Sequence, residues 1–236
     1  MEGKNFRGFR DNTCKFLKDL GKNNEKKWFE THRREYNEYL LTPLQNLVVD
    51  MGEFMLTIDP YFEIRPMIDK TISRIYRDTR FSPDKSLYRS NMWIVFKRPN
   101  KNWKDAPAYF FEIYPDWYRY GMGFYQASKD TMDAFREEIR KEPTKFLRII
   151  SKIKSFEIKG ELYKRPLWTD LPQEIQKYYQ RKSFYMEYRK SIDEILFSPK
   201  LVDELVQKYE ILRPLYLYLL DIKEKVRSER RESTYL

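Results

Sequence analysis

Apolar side chains recur at helical spacing through residues 1–60. Asp11 or Asn12 is placed to cap a helix carrying Phe16, Leu17 and Leu20 on one face, with Gly21 ending it. Asn23 or Asn24 then opens a second helix, with Trp28, Phe29, Tyr36, Tyr39 and Leu40 at matching intervals. Thr42 as cap and Pro43 in the first turn start a third. Its stripe of Leu44, Leu47, Val48, Met51, Phe54, Met55 and Ile58 reads as core.

The pattern changes after DPYFEIRP. Short apolar, aromatic runs at 92–97 (MWIVFK), 108–114 (AYFFEIY) and 117–125 (WYRYGMGFY) read as strands. The Pro-Asp connection is short, which makes neighbours antiparallel. Gly121 and Gly123 suit a bulge or a close backbone approach. Ser128 caps a helix bearing Met132, Phe135 and Ile139, and Pro143 starts another. FEIKGELY predicts a small hairpin turning at Lys159-Gly160. A short helix (LPQEIQKYYQRK) and a strand (SFYMEYR) follow. A last helix opens on Ser198 and Pro199, and Pro214 is expected to kink or restart it. The expected fold is α+β: N-terminal helices packed on an antiparallel β meander, then further helices and a small hairpin. Residues 1–236 read as one domain, helical over about 1–60, sheet over about 61–125 and mixed and helical over about 126–236.

Composition narrows the chemistry. Lys and Arg number 46 against 36 Asp and Glu, a net charge of +10, which favours anionic partners, a small ligand or nucleic acid. One cysteine, Cys14, and one histidine, His32, exclude an internal disulfide and a Cys/His zinc site. No motif points to a carboxylate-bound magnesium ion, and no cofactor is named. A nucleophile-histidine pair would have to use His32, in the charged segment WFETHRREY. The opening MEGKNFRGFRDNTCKFL lacks a continuous apolar run, and LRPLYLYLL is too short to span a bilayer. The expectation is a soluble cytoplasmic protein without a membrane partner.

One stretch concentrates charge. RIYRDTRFSPDKSLYR, residues 74–89, holds five cations (Arg74, Arg77, Arg80, Lys85, Arg89) and two anions (Asp78, Asp84). As a strand, Arg74, Tyr76, Asp78 and Arg80 share one face and Ile75, Arg77, Thr79 and Phe81 the other. As a helix, Arg74, Arg77, Asp78 and Phe81 cluster instead. Pro83 and Asp84 turn the chain, so both arms face each other. Arg77 or Arg80 with Asp78, and Lys85 with Asp84, would neutralise part of the segment, as exposed pairs do without any function. The remaining cations call for an external anion or for distant carboxylates such as Glu63 and Glu112. Asp78 as general base or metal ligand and Tyr88 as proton donor are the catalytic candidates. The chain has no GxxxxGK[ST], HExxH or GxSxG, so no reaction follows and enzyme activity stays open.

Arg74, Arg77, Asp78, Arg80, Phe81, Asp84, Lys85 and Tyr88 together resemble the signature of a bacterial family, domain of unknown function 2461. Asn23, Asn24, Trp28, Phe29 and Tyr36 match its N-terminal FLxxLxxNNxxxWF block. Leu162, Lys164, Arg165, Pro166, Lys182, Ser183 and Phe184 match two later blocks, and the resemblance spans roughly Phe16 to Leu220. After KRP this chain reads LWTDLP in place of a Gly- and His-containing segment. The resemblance implies a single-domain α+β protein and no reaction.

Three functions compete. The first is a pocket for a phosphate- or carboxylate-bearing ligand built on Arg74, Arg77, Arg80, Lys85 and Arg89, with Lys164, Arg165 and Lys182 at its rim. The second is nucleic-acid binding through a basic, aromatic-rich face. The third is a structural or partner-binding role, with the charged motif satisfying itself.

Overall fold

The computed structural model describes residues 5–80, 83–167 and 169–234, with side chains as far as Ser228. Helix α1 (Asp11–Lys22) starts one residue after Arg10, and Asp11 lies in its first turn, where a carboxylate suits the positive end of the helix dipole. The helix runs through Gly21. Asn23 closes it instead, donating its side-chain amide to the Asp19 carbonyl at 3.0 Å. Helix α2 (Lys26–Thr31) and the turn α3 (Arg33–Glu35) follow. A π-helical segment, Tyr36–Leu41, then leads into α4 (Thr42–Ile58) without a break. Thr42 therefore caps nothing. The longer π step shifts the hydrogen-bond ladder just where Pro43 lacks a donor, so the proline interrupts no helical bond of its own.

The strands are β1 (Met92–Phe96), β2 (Pro107–Ile113), β3 (Trp117–Phe124), β4 (Glu157–Lys159) and β5 (Tyr185–Ser191). They form one antiparallel sheet in the order β1-β2-β3-β5-β4. The three predicted meander strands are therefore joined by two from the later chain. The predicted hairpin at Lys159-Gly160 does not close on itself. β4 pairs with β5, Glu157 opposite Glu187, while Leu162 bridges Arg181. Gly160 has φ +123, and a Cβ there would fall 2.1 Å from the Ser183 carbonyl oxygen, so its turn is spent on approaching the β5 side of the chain. The free edge of β1 is covered by residues 71–73: Ser73 N donates to Trp93 O and Val95 N to Thr71 O.

Helices α5 (Lys129–Lys141) and α6 (Pro143–Ile150) begin as the caps foretell, with Ser128 Oγ accepting from Thr131 N at 3.2 Å. Short α7 (Gln173–Tyr179) and long α8 (Lys200–Thr234) complete the chain. α8 passes through Pro214 uninterrupted. Pro214 and Glu210, whose carbonyl the proline cannot bond, are both exposed, while Leu212, Leu215 and Tyr216 are buried, so the break falls on the outer face of the helix.

The chain divides into two compact units. One takes the chain up to Phe96 together with Phe110–Tyr120 and Arg189–Gln207. Its core includes Phe16, Leu17, Leu20, Phe29, Leu44 and Met51, with Phe9 stacked on Phe111 at 5.8 Å. The second takes Lys97–Tyr109, Gly121–Tyr188 and the chain from Lys208 onward. Phe135, Phe146, Tyr178 and Phe184 form a ring cluster there, with neighbouring centroids 5.1 to 5.6 Å apart. No described helix is long and apolar enough to cross a membrane.

Candidate functional site

Residues 74–89 form an arm whose two halves pair around a Tyr76–Tyr88 bridge. Arg77 N donates to Leu87 O at 2.9 Å and Arg89 N to Ile75 O at 2.8 Å. Arg74, Tyr76, Asp78 and Arg80 are exposed while Ile75, Arg77 and Thr79 are covered, the two-residue alternation of extended chain. The helical alternative is thereby set aside. Phe81 and Ser82 lie outside the described residues. Beyond them Asp84 Oδ1 accepts from Ser86 N at 2.9 Å, the local turn expected of this aspartate.

The arm is fastened to the link between α1 and α2 and to α2 itself. Asn24 donates its side-chain amide to Tyr88 O and accepts from Tyr88 N, both at 2.9 Å. It pairs with Tyr88 as a neighbouring strand would and also reaches the Leu20 carbonyl at the end of α1 at 3.3 Å, while α2 opens on Glu25 and not on Asn24. The buried Tyr88 ring stacks on Phe29 at 4.5 Å and lies 5.0 Å from Tyr76. The NNxxxWF block thus works in pairs: Asn24 and Phe29 hold the arm, while Asn23 and Trp28 face elsewhere.

The cations find partners close at hand. Arg80 makes a two-pronged contact with Asp78 at 3.0 and 2.9 Å. Arg77 reaches Ser86 Oγ and Asp84 Oδ2, each at 3.0 Å. Arg74 pairs with Asp69, whose backbone sits in the left-handed region at φ +67, a conformation that Asp tolerates better than most residues. Lys85 donates to the Thr79 carbonyl at 2.7 Å, not to Asp84. Arg89 donates to Tyr76 O at 3.1 Å and lies over the Trp93 ring at 4.8 Å. Glu63 is bound to Arg65 and Glu112 to Arg119, so neither distant carboxylate serves the arm. Asp69, Asp78 and Asp84 take up Arg74, Arg80 and Arg77, Lys85 reaches a carbonyl oxygen, and Arg89 reaches carbonyl oxygens and the Trp93 ring.

Proton chemistry is weakly supported at the two candidate positions. The Arg80 side chain and backbone amide hold the Asp78 carboxyl down to about 2. It is an ionised partner of Arg80 across the neutral range and a poor base. Burial, with Tyr76 beside it, pushes the Tyr88 phenol up to about 12. Cys14 is pushed up to about 11, by burial first and then by Asp11 and Asp116, so its thiolate is scarce. His32 stacks on Trp28 at 4.0 Å, and no hydrogen bond joins it to Cys14 among the described residues.

Lys164, Arg165 and Lys182 lie in the second unit. Lys164 and Arg165 are exposed, and Lys182 pairs with Glu161. Sequence reasoning missed three contributors to the arm: Asn24 as its clamp, Asp69 as its third carboxylate and Trp93 under Arg89. Only Asn24 left a trace, as the second asparagine of a shared block.

No curated protein matches this chain. Residues 12–218, a stretch that contains both the clamp and the arm, match the family described as Conserved hypothetical protein (DUF2461), and the chain belongs to that family.

Proposed function

We propose that the arm binds a small ligand carrying a phosphate or carboxylate group. The observation that supports this most is Lys85, which has no carboxylate partner among the described residues and sits in an exposed, arginine-rich segment. Lys85 is held by the Thr79 carbonyl beside three arginines, two of which, Arg74 and Arg80, are mostly exposed. Exposed ion pairs contribute little to stability, so an incoming anion can replace a carboxylate at a guanidinium with small loss. Arginine forks and an ammonium suit phosphate oxygens. The Asn24 clamp keeps the arm in place before any ligand arrives, which lowers the entropy lost on binding. The role is recognition: Asp78 orients Arg80 and moves no proton. The setting we infer is the bacterial cytoplasm, which a chain with a single cysteine suits.

Calorimetric titration with pyrophosphate tests the reading. We expect saturable binding that weakens by about tenfold or more when Lys85→Ala and Arg80→Ala are combined, with the melting temperature held. Unchanged affinity in that variant, or no binding, would sink it. Binding confined to single-stranded oligonucleotides, with a steep fall as salt rises, would favour a nucleic-acid interface instead.

A further inference from the structure

Helices α1 and α2, the turn α3 and the π segment border a cleft of about 470 Å³. Its lining includes Lys15, Asp19, Trp28, His32, Glu35 and Tyr39. These come from one face of α1 and from the short elements after it, and the cleft does not share the residues that hold the arm.

Three features set this cleft apart. Trp28 and His32 form a flat aromatic wall, their rings 4.0 Å apart and 14° from parallel. His32 Nδ1 lies 2.8 Å from the Trp28 carbonyl, which can only accept, and 3.0 Å from Thr31 Oγ1, and Nε2 has no hydrogen-bond partner among the described residues. Asp19 and Glu35 are half-buried, and neither carboxylate has an ion-pair or hydrogen-bond partner among the described residues. A neighbouring acid behaves otherwise: Glu30, on α2, is taken up by Arg33. Lys15, one turn from Asp19 on α1, borders the same cleft, so the lining sets two carboxylates against one ammonium and leaves a surplus of negative charge for a cation to meet. Among the described residues no group of three or more His, Cys, Asp and Glu side chains is placed to hold a metal ion. An aromatic face adds attraction for an organic ammonium.

We propose that this cleft binds a small organic cation, an ammonium carried on a flat apolar body. The ammonium pairs with Asp19 and Glu35, and the body lies against Trp28 and His32. The site is separate from the arm and takes the opposite charge.

Tryptamine serves as the probe, with indole-3-propionate as the same ring bearing an anion. Calorimetry should show saturable tryptamine binding at millimolar concentration and much weaker binding of the propionate. The near-isosteric pair Asp19→Asn and Glu35→Gln should lower tryptamine affinity by about tenfold or more without lowering the melting temperature. Lys85→Ala should leave it unchanged, which separates this site from the arm. Equal affinity for the anion, unchanged affinity in the double variant, or no saturable tryptamine binding would each overturn the proposal.

Discussion

Replacing Gly123 by alanine should destabilise the protein by about 3 kcal/mol or more, at the upper end of single substitutions. Gly123 has φ +158, and a Cβ on it would lie 2.4 Å from Tyr185 Cα and 2.7 Å from the Phe184 carbonyl oxygen. Both neighbours are backbone, and Phe184 O already accepts from Phe124 N at 3.0 Å. The clash cannot be relieved by a side-chain rotation; β3 and the start of β5 would have to part. For a chain of this length the melting temperature should fall by about 6–12 °C. Gly52 is the internal control. A Cβ there meets Ile64 Cδ1 at an ordinary 3.6 Å within α4, so Gly52→Ala should leave stability level or raise it by about 0.5–1 kcal/mol. Equal behaviour of the two variants in thermal denaturation would remove the close-approach account.

The second large effect is expected at Asn24. Asn24→Ala removes both hydrogen bonds to Tyr88 and leaves its amide and carbonyl without that partner beside a ring that is 1% exposed. The loss should be about 2–3 kcal/mol, since an orphaned buried backbone group costs more than a bond contributes. Asn24→Asp keeps the acceptor and loses the donor, so it should fall between wild type and alanine. Amide exchange at Tyr88 should accelerate in the same order. If the alanine variant melts with wild type, the arm is held by Phe29 stacking alone and Asn24 is no clamp.

The sequence pattern carried most of the architecture. The α4 stripe, the three meander strands and the Ser128 and Pro143 starts are written in local periodicity and cap chemistry, which act over a few residues. The failures share a cause: the deciding partner is far along the chain. Asn24 looks like a cap because asparagine caps helices, and only Tyr88, 64 positions later, reveals its use. Gly160 looks like a hairpin turn until β5 takes the neighbouring strand. Pro214 looks like a break, yet one exposed unpaired carbonyl is outweighed by the buried face of α8. At the arm, the alternation of faces was legible once the extended form was chosen. The pairing was half legible: Arg80 with Asp78 follows from nearness, whereas Asp69 depends on a left-handed turn that no residue pattern announced.

The arm as a clamped anion site can be tested most directly by following arginine Nε–H resonances during a pyrophosphate titration. Arg77, Arg80 and Arg89 should shift together along one saturation curve. Arg136, 4% exposed and bound to the Tyr179 and Arg181 carbonyls, should stay still as a reference. The same titration of Asn24→Ala, below its melting temperature, should need more pyrophosphate to reach the same shift. Shifts spread evenly over exposed arginines throughout the chain, or an arm that does not respond, would contradict the account.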